Sequence, residues 1–193
     1  MSYITREDIA LIEARYGVPV KLSTEISMSP FEMDIVRNSQ KNGRAHDITM
    51  FIFKGEQLLF NAKHFYPTEL FRAPSGGINP GEAIEDGAKR EAYEETGARI
   101  ELEKYLAKIE VRFFDRENND KYIDWTSYVF KARYLSGEIK PLDTHEIREA
   151  KLIDISDIPK FNDIMLNSER GGFHYRAYLT KNIMRLLNGD SVK

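Results

Sequence analysis

The chain has 193 residues, 41% of them hydrophobic and 31% charged, with a net charge of −3; this is an ordinary globular composition, long enough to bury a core in one main domain. The charge balance offers no broad basic surface for a nucleic-acid backbone, and the absence of cysteine removes disulfides, thiolate zinc sites and cysteine nucleophiles together. The N-terminal MSYITREDIALIEARYG lacks an apolar segment of the signal-peptide kind, and no stretch nears the roughly 20 apolar residues that span a bilayer, so a cytoplasmic location without a membrane partner is expected.

Residues up to about His46 read as two helices. Thr5 with Asp8 forms one capping box ahead of Ile9, Ile12 and Tyr16, and Ser29 with Glu32 forms another, with Pro30 at the first helical position. This suggests an N-terminal helical extension over residues 1–45, attached to a main domain over 46–193. The apolar run DITMFIF, a Lys54-Gly55 turn and QLLFNAKHF then predict a strand pair.

After a glycine-rich loop, the segment from Ala83 to Thr96 predicts a helix. Glu85 and Asp86 stand near its positive N-terminal end, and Gly97 is placed to end it in a left-handed conformation. KYLAKIEVRFF and YIDWTSYVFKARYL flank the polar DRENNDK and predict a long hairpin, AKLIDIS another strand, and FHYRAYLTKNIMRLLNG an amphipathic helix closed by Gly189. Mixed strands around a central and a terminal helix imply an α/β or α+β sandwich without the regular alternation of a doubly wound parallel sheet.

On a helix, Glu91, Glu94 and Glu95 fall at i, i+3 and i+4, so their carboxylates share one sector and repel. A solvated acidic face is the bland reading. Against it, Arg90 is the sole cation within the cluster, with Glu94 as its i+4 neighbour, and hard divalent ions such as Mg²⁺ or Mn²⁺ seek this kind of oxygen-rich donor set. The preceding SGGINPGE has turn residues where backbone must approach another group closely. It is neither a Walker-type phosphate loop, since no Gly-Lys-Ser/Thr follows, nor a dinucleotide fingerprint, since the glycine spacing is wrong.

Gly76, five residues, Glu82, seven residues and then Arg90-Glu91-Ala92-Tyr93-Glu94-Glu95-Thr96-Gly97-Ala98 resembles the Nudix box of the Nudix hydrolase family. The fixed positions Gly76, Glu82, Arg90, Glu91, Glu94, Glu95 and Gly97 are all filled. Ala92 and Ala98 depart from the pattern, because the family generally carries larger aliphatics there. The resemblance implies an α/β/α sandwich with a mixed sheet over about residues 45–190. It also implies a metal-dependent hydrolase that cleaves the diphosphate of a nucleoside diphosphate linked to another group, of ADP-ribose or nucleotide-sugar type, with Mg²⁺ or Mn²⁺ as cofactor.

The same resemblance implies site roles. Glu94 and Glu95 are the leading metal ligands, Glu91 is a further ligand or the base that orients water, the Gly76 carbonyl is an additional ligand, and Glu82 and Arg90 hold loop and helix together. In PLDTHEIREA, where Asp143, Glu146 and Glu149 stand, Glu146 is the candidate for an extra carboxylate from a later loop; the adjacent His145 reads as polar surface. Phe71, Phe113, Phe114 and Trp125 are candidates for stacking on a base, with core packing as the alternative for each. Arg72 and Arg112 are candidates for phosphate contact, with surface or structural pairing as the alternative for both.

An isopentenyl diphosphate isomerase, which shares the fold, would need a cysteine that this chain lacks. A nucleotide-sensing regulator is the other competing reading, but a complete acidic set and a single helix after the last strand favour hydrolysis. The expected partner is a small-molecule nucleotide diphosphate, no nucleic acid is expected, and family members often form homodimers.

Overall fold

A computed structural model describes residues 4–40 and 43–190; residues 1–3, 41–42 and 191–193 of the two expected segments lie outside the described residues. In chain order the elements are α1 (Arg6–Tyr16), β1 (Val20–Met28), α2 (Pro30–Ser39), β2 (His46–Lys54), β3 (Gln57–Lys63), β4 (Ser75–Gly76), α3 (Ile84–Thr96), β5 (Arg99–Asp115), β6 (Asn118–Ser136), β7 (Ile147–Asp154), α4 (Ile158–Leu166) and α5 (Gly171–Leu187). Both capping boxes form: Thr5 and Asp8 bond each other's backbone N–H at the start of α1, and Ser29 and Glu32 do so at the start of α2.

The strands make one mixed sheet in the order β1-β5-β6-β2-β3-β7, with β4 added to β2. β5 and β6 are the expected long antiparallel hairpin, and β2 and β3 the expected pair. β2 runs parallel to β6, which brings the sequence-distant Ile48 and Tyr128 into register. Met50, Phe51 and Ile52 of β2 are fully buried, as an apolar run does when both faces of a sheet are covered. Ile48, Met50 and Ile52 face α1 and α3 along with Ile12, Ala88, Tyr105 and Phe130. Phe51 faces the opposite layer with Met33, Phe161, Phe173 and Ile183 of α2, α4 and α5. The result is an α/β/α sandwich.

The segment expected to hold two helices alone also carries a strand. In Val20–Met28, Leu22, Ile26 and Met28 alternate with polar residues and point into the α5-side core, and the strand pairs parallel with β5 from Val20↔Ala107 to Met28↔Asp115. Two helices, α4 and α5, follow β7 where one was expected. α4 is short, and its start follows a 3₁₀ turn at Ile155–Asp157, which weakens its helical signature in sequence.

Ala92 and Ala98, the positions where larger aliphatics are usual, are fully buried beside Tyr105 and Phe130, whose rings stack at 4.8 Å between centroids. Bulky aromatics on the sheet thus stand in the same core layer as the two small side chains. Arg15 of α1 bridges to Glu85 of α3 at 2.5 Å, tying the extension to the central helix.

Gly97 ends α3 with φ 72°, and a Cβ there would lie 2.2 Å from the Glu138 carbonyl oxygen and 2.6 Å from that of Lys140. Gly97→Ala is therefore expected to cost at least about 2 kcal/mol in urea unfolding. Gly189→Ala, with φ 83° but nothing within 4 Å of the added carbon, should cost only about 1 kcal/mol.

His46, at the buried start of β2, has its imidazole pushed down from 6.5 to about 4 by burial. Above pH 6.5 both folded and unfolded states are neutral there; as pH falls toward 4 only the unfolded chain takes the proton, so stability is lost. Between pH 7 and pH 4 this loss should reach on the order of 2–3 kcal/mol, and chemical denaturation across that range should show a flatter dependence for His46→Gln.

Candidate active site

The glycine loop meets α3 through a single guanidinium. Arg90 donates from Nε and Nη2 to the two carboxylate oxygens of Glu82, each at 2.8 Å, from Nη2 to the Gly77 carbonyl at 2.8 Å, and from Nη1 to Glu91 at 2.9 Å and Glu94 at 3.0 Å. Its hydrogen bonds to Glu82 raise its own pKa and hold the Glu82 carboxyl below the usual range. Glu82 also accepts from the Asn79 N–H at 2.8 Å, closing the loop upon itself.

β4 stitches the same loop to the sheet, with Gly76 opposite Ile48 and Ser75 opposite Thr49 of β2. A Cβ on Gly76 would sit 1.9 Å from the Glu91 carboxyl carbon. Only glycine lets that carboxylate lie against the strand. Glu91 accepts from the Gly77 N–H at 3.1 Å. Burial raises its pKa, and the neighbouring Glu95 and Glu94 charges reinforce the rise against the pull of Arg90.

The three carboxylates differ in environment. Glu95 is 4% exposed and accepts from Asn61 Nδ2 at 2.7 Å, the Ser75 N–H at 2.8 Å and Arg72 Nη2 at 3.4 Å. The Glu94 side chain is 46% exposed, and its backbone carbonyl accepts from the N–H groups of Leu142 and Asp143, which tethers the later loop to the end of α3.

All three carboxylates and Gly76 line a cleft of about 710 Å³, together with Asp143, Glu146 and Trp125. Its floor is a buried polar network. Trp125 Nε1 donates to Asp47 at 3.1 Å, the Ser127 hydroxyl donates to the same carboxylate, and Arg176 of α5 bonds Asp47 at 3.1 Å, Ser75 at 2.9 Å and Thr49 at 3.2 Å.

A family profile described as NUDIX domain matches residues 42–173. The chain belongs to the Nudix family. The loop and helix just described are its Nudix box. Among solved structures the chain is similar to a NUDIX hydrolase from Nitrosomonas europaea at 19% identity, with 76% of this chain and 74% of that chain covered and a TM-score of 0.54. A second NUDIX hydrolase structure from Nitrosomonas europaea is also 19% identical, over 72% of this chain and 90% of that one, at a TM-score of 0.51. A UDP-X diphosphatase is 18% identical over 77% of this chain and 72% of that chain, at a TM-score of 0.49.

Outside the box, the structure redistributes the candidate residues. Glu146 lines the Nudix cleft and pairs with Lys63 at 2.7 Å. Trp125 lines it too, edge-bonded to Asp47. Arg72 reaches the cleft wall but is 3% exposed, with its donors turned to Ala73, Ser75 and Glu95, so it braces Glu95 and presents no free fork.

Phe71 is a correction: it is 2% exposed, packed with Phe161 and under Lys151, and does not line the cleft. Arg112 is another. It lines a separate groove of about 820 Å³ between β1, β5, β6 and the start of α1, and pairs with Asp124 at 2.8 Å. Strand parity is the cause: the register aligns Val111 with Trp125 and Arg112 with Asp124, so Arg112 stands one residue out of phase with the cleft. Phe113 lines the cleft while remaining 4% exposed, whereas Phe114 does not. The sequence reading missed Asp47, Arg176 and Arg44, each isolated in sequence from the box and gathered only by the sheet and α5.

The donor set suits a hard cation, being all oxygen. Glu91 Oε2 and Glu94 Oε1 accept no hydrogen bond among the described residues, in contrast to their partner oxygens. The burial-raised pKa of Glu91 marks a carboxylate that a positive charge would relieve. Among the described residues, however, no three acidic or histidine side chains already stand together as a cation cage, because protein donors hold Glu95 toward β3 and β4.

Glu95→Ala would strand the buried Arg72 together with the donors of Asn61 and Ser75, and is expected to cost about 3–5 kcal/mol in urea unfolding. Glu94→Ala, removing a half-exposed group, should change stability by less than about 1 kcal/mol.

Proposed function

We propose that this Nudix-family protein is a pyrophosphohydrolase that uses a divalent metal ion, Mg²⁺ or Mn²⁺, to hydrolyse the diphosphate of a nucleoside diphosphate linked to another moiety, of the ADP-ribose or nucleotide-sugar type. The observation that carries the reading is that Glu91, Glu94, Glu95 and Gly76 all line one cleft of about 710 Å³, a size that suits a ligand of several rings.

Glu94 and Glu95 would hold the cation, with the Gly76 carbonyl and Glu146 as further oxygen donors; Glu91 would serve either as a further ligand or as the base. When bound, the cation neutralises phosphate charge and acidifies a coordinated water. Glu91 is suited to accept the proton of the attacking water, since burial and like charge have raised its pKa. The water oxygen forms a bond to phosphorus as the bridging phosphorus–oxygen bond breaks, and the second phosphate departs with the bridging oxygen. Arg90 keeps Glu91 and Glu94 in place through the reaction, and Trp125 closes the cleft wall beside them.

Residues 1–45 complete this reading as an extension appended to the catalytic domain at 46–193. A cytoplasmic location and a homodimer belong to the same proposal. Among the described residues, no helix is long and apolar enough to cross a membrane.

Release of nucleoside monophosphate from ADP-ribose, nucleotide sugars, dinucleoside polyphosphates and oxidised nucleoside triphosphates tests the proposal. Turnover of at least one of the first two is expected, abolished by EDTA and restored by Mg²⁺ or Mn²⁺. Glu94→Gln should lower kcat at least about 100-fold. Tight binding of one compound without turnover of any would replace hydrolysis by nucleotide sensing.

A further inference from the structure

Large apolar side chains that line the cleft are left mostly exposed. Phe31 is 73% exposed, Phe65 58% and Ile35 51%, and all three line the cleft that holds the acidic residues. Such a group beside an active site marks a contact made by a ligand or a partner.

These aromatics are firmly carried. Glu32, next to Phe31, accepts from the Gly171 N–H at 3.3 Å and the Gly172 N–H at 3.0 Å, so the first turn of α2 is pinned to the start of α5. The backbone of β1 presses on the same point, for a Cβ on Gly171 would lie 2.1 Å from the Ser27 carbonyl oxygen. Arg170, one residue earlier, lies over the Phe65 ring at 5.2 Å. Phe65 packs edge-on against Tyr66 at 4.9 Å, and Tyr66 against Phe173 at 5.0 Å. The segments that carry Phe31 and Phe65 are therefore both tied to the start of α5, and both side chains line the same cleft.

The charge at this end is also distinct. Arg44, Arg116 and Arg170 line the cleft without a carboxylate partner among the described residues: Arg44 lies over Trp125 at 5.6 Å, Arg116 donates to the Glu169 carbonyl at 2.8 Å, and Arg170 rests on Phe65. Guanidiniums free of carboxylates together with exposed rings match a flat heterocycle joined to phosphate.

We propose that Phe31 and Phe65 stack on the nucleobase of the substrate, with Arg44, Arg116 and Arg170 facing its phosphates and base edge, so that α2, outside the residues that match the family, supplies substrate recognition. This rests on the hydrolase reading for its substrate but not for its test. It commits the enzyme to substrates that carry a nucleobase and disfavours diphosphates that lack one.

The test measures equilibrium binding of AMP, GMP, UMP, CMP and ribose 5-phosphate by calorimetry, without metal, to the full chain and to Phe31→Ala, Phe65→Ala and Phe31→Tyr. At least one nucleotide should bind roughly tenfold more tightly than ribose 5-phosphate. That preference should fall toward unity in both alanine variants and persist in Phe31→Tyr. In turnover assays the alanine variants should raise KM about tenfold with kcat within about twofold, whereas Glu94→Gln acts on kcat.

An unchanged preference in the alanine variants, or no binding of any of these compounds at millimolar concentration, overturns the stacking assignment. So does a dimer, seen by sedimentation equilibrium, that Phe31→Ala converts to monomer without altering the preference; the exposed rings would then belong to a second copy of the chain. Because nucleotide binding is read without turnover, a loss of nucleobase preference in the alanine variants supports stacking even if no substrate is hydrolysed. Hydrolysis that survives with an unchanged preference removes stacking alone.

Discussion

The site depends on one guanidinium. Glu91, Glu94 and Glu95 are forced onto a common sector by helical geometry, and without compensation their mutual repulsion would favour splayed side chains. Arg90 meets Glu82, Glu91, Glu94 and the Gly77 carbonyl at once, so it neutralises part of that charge while fixing the distance between loop and helix. A lysine could not do this, because its point charge lacks a planar fork that reaches several acceptors in fixed directions. The compensation is partial by construction: one cation faces three carboxylates in contact, and oxygens on Glu91 and Glu94 are left over.

What sets Glu95 apart is burial. A carboxylate at 4% exposure must be satisfied inside the protein, and Asn61, the Ser75 N–H and Arg72 meet that demand. Those partners come from β3, β4 and the segment between them, so Glu95 anchors α3 to the sheet as well as belonging to the acidic set. The Asp47, Ser127, Trp125 and Arg176 network performs a parallel task underneath, joining β2, β6 and α5. The two polar clusters beside the cleft are joined through Ser75, whose N–H meets Glu95 and whose hydroxyl accepts from both Arg72 and Arg176.

Much of this was legible in the sequence where the constraint is local. The capping boxes, the left-handed Gly97, the long hairpin and the helical convergence of the glutamates all follow from spacings of a few residues. β1 carried a legible alternation of Leu22, Ile26 and Met28, yet its partner β5 lies about 85 positions away, and Ser, Thr and Lys between two strong caps disguised it as a connection. Arg112 falls outside the cleft for a different reason. Composition names residue types suited to bases and phosphates, but the face on which a strand residue lands is set by register, and register here is set by pairings that no short stretch encodes. Asp47 and Arg176 went unseen because their significance is a meeting of β2 and α5, about 130 residues apart in the chain.

Chemistry and recognition are therefore carried by different parts of the chain. On the proposed reading the diphosphate would face α3 and β4, and β4 is paired to β2 at the centre of the sheet. The far end of the cleft is walled by α2, the Phe65 loop and the start of α5, joined to each other through Glu32 and Gly171 rather than through the central strands. Phe31 and Phe65 themselves make no hydrogen bond to the carboxylates among the described residues, although Arg176 of α5 reaches Ser75 of β4 beside Glu95. A fold that separates its reactive wall from its selective wall in this way can keep one hydrolytic device while exchanging the group it recognises, and on the proposed reading the selective wall of this protein is built partly from the N-terminal segment.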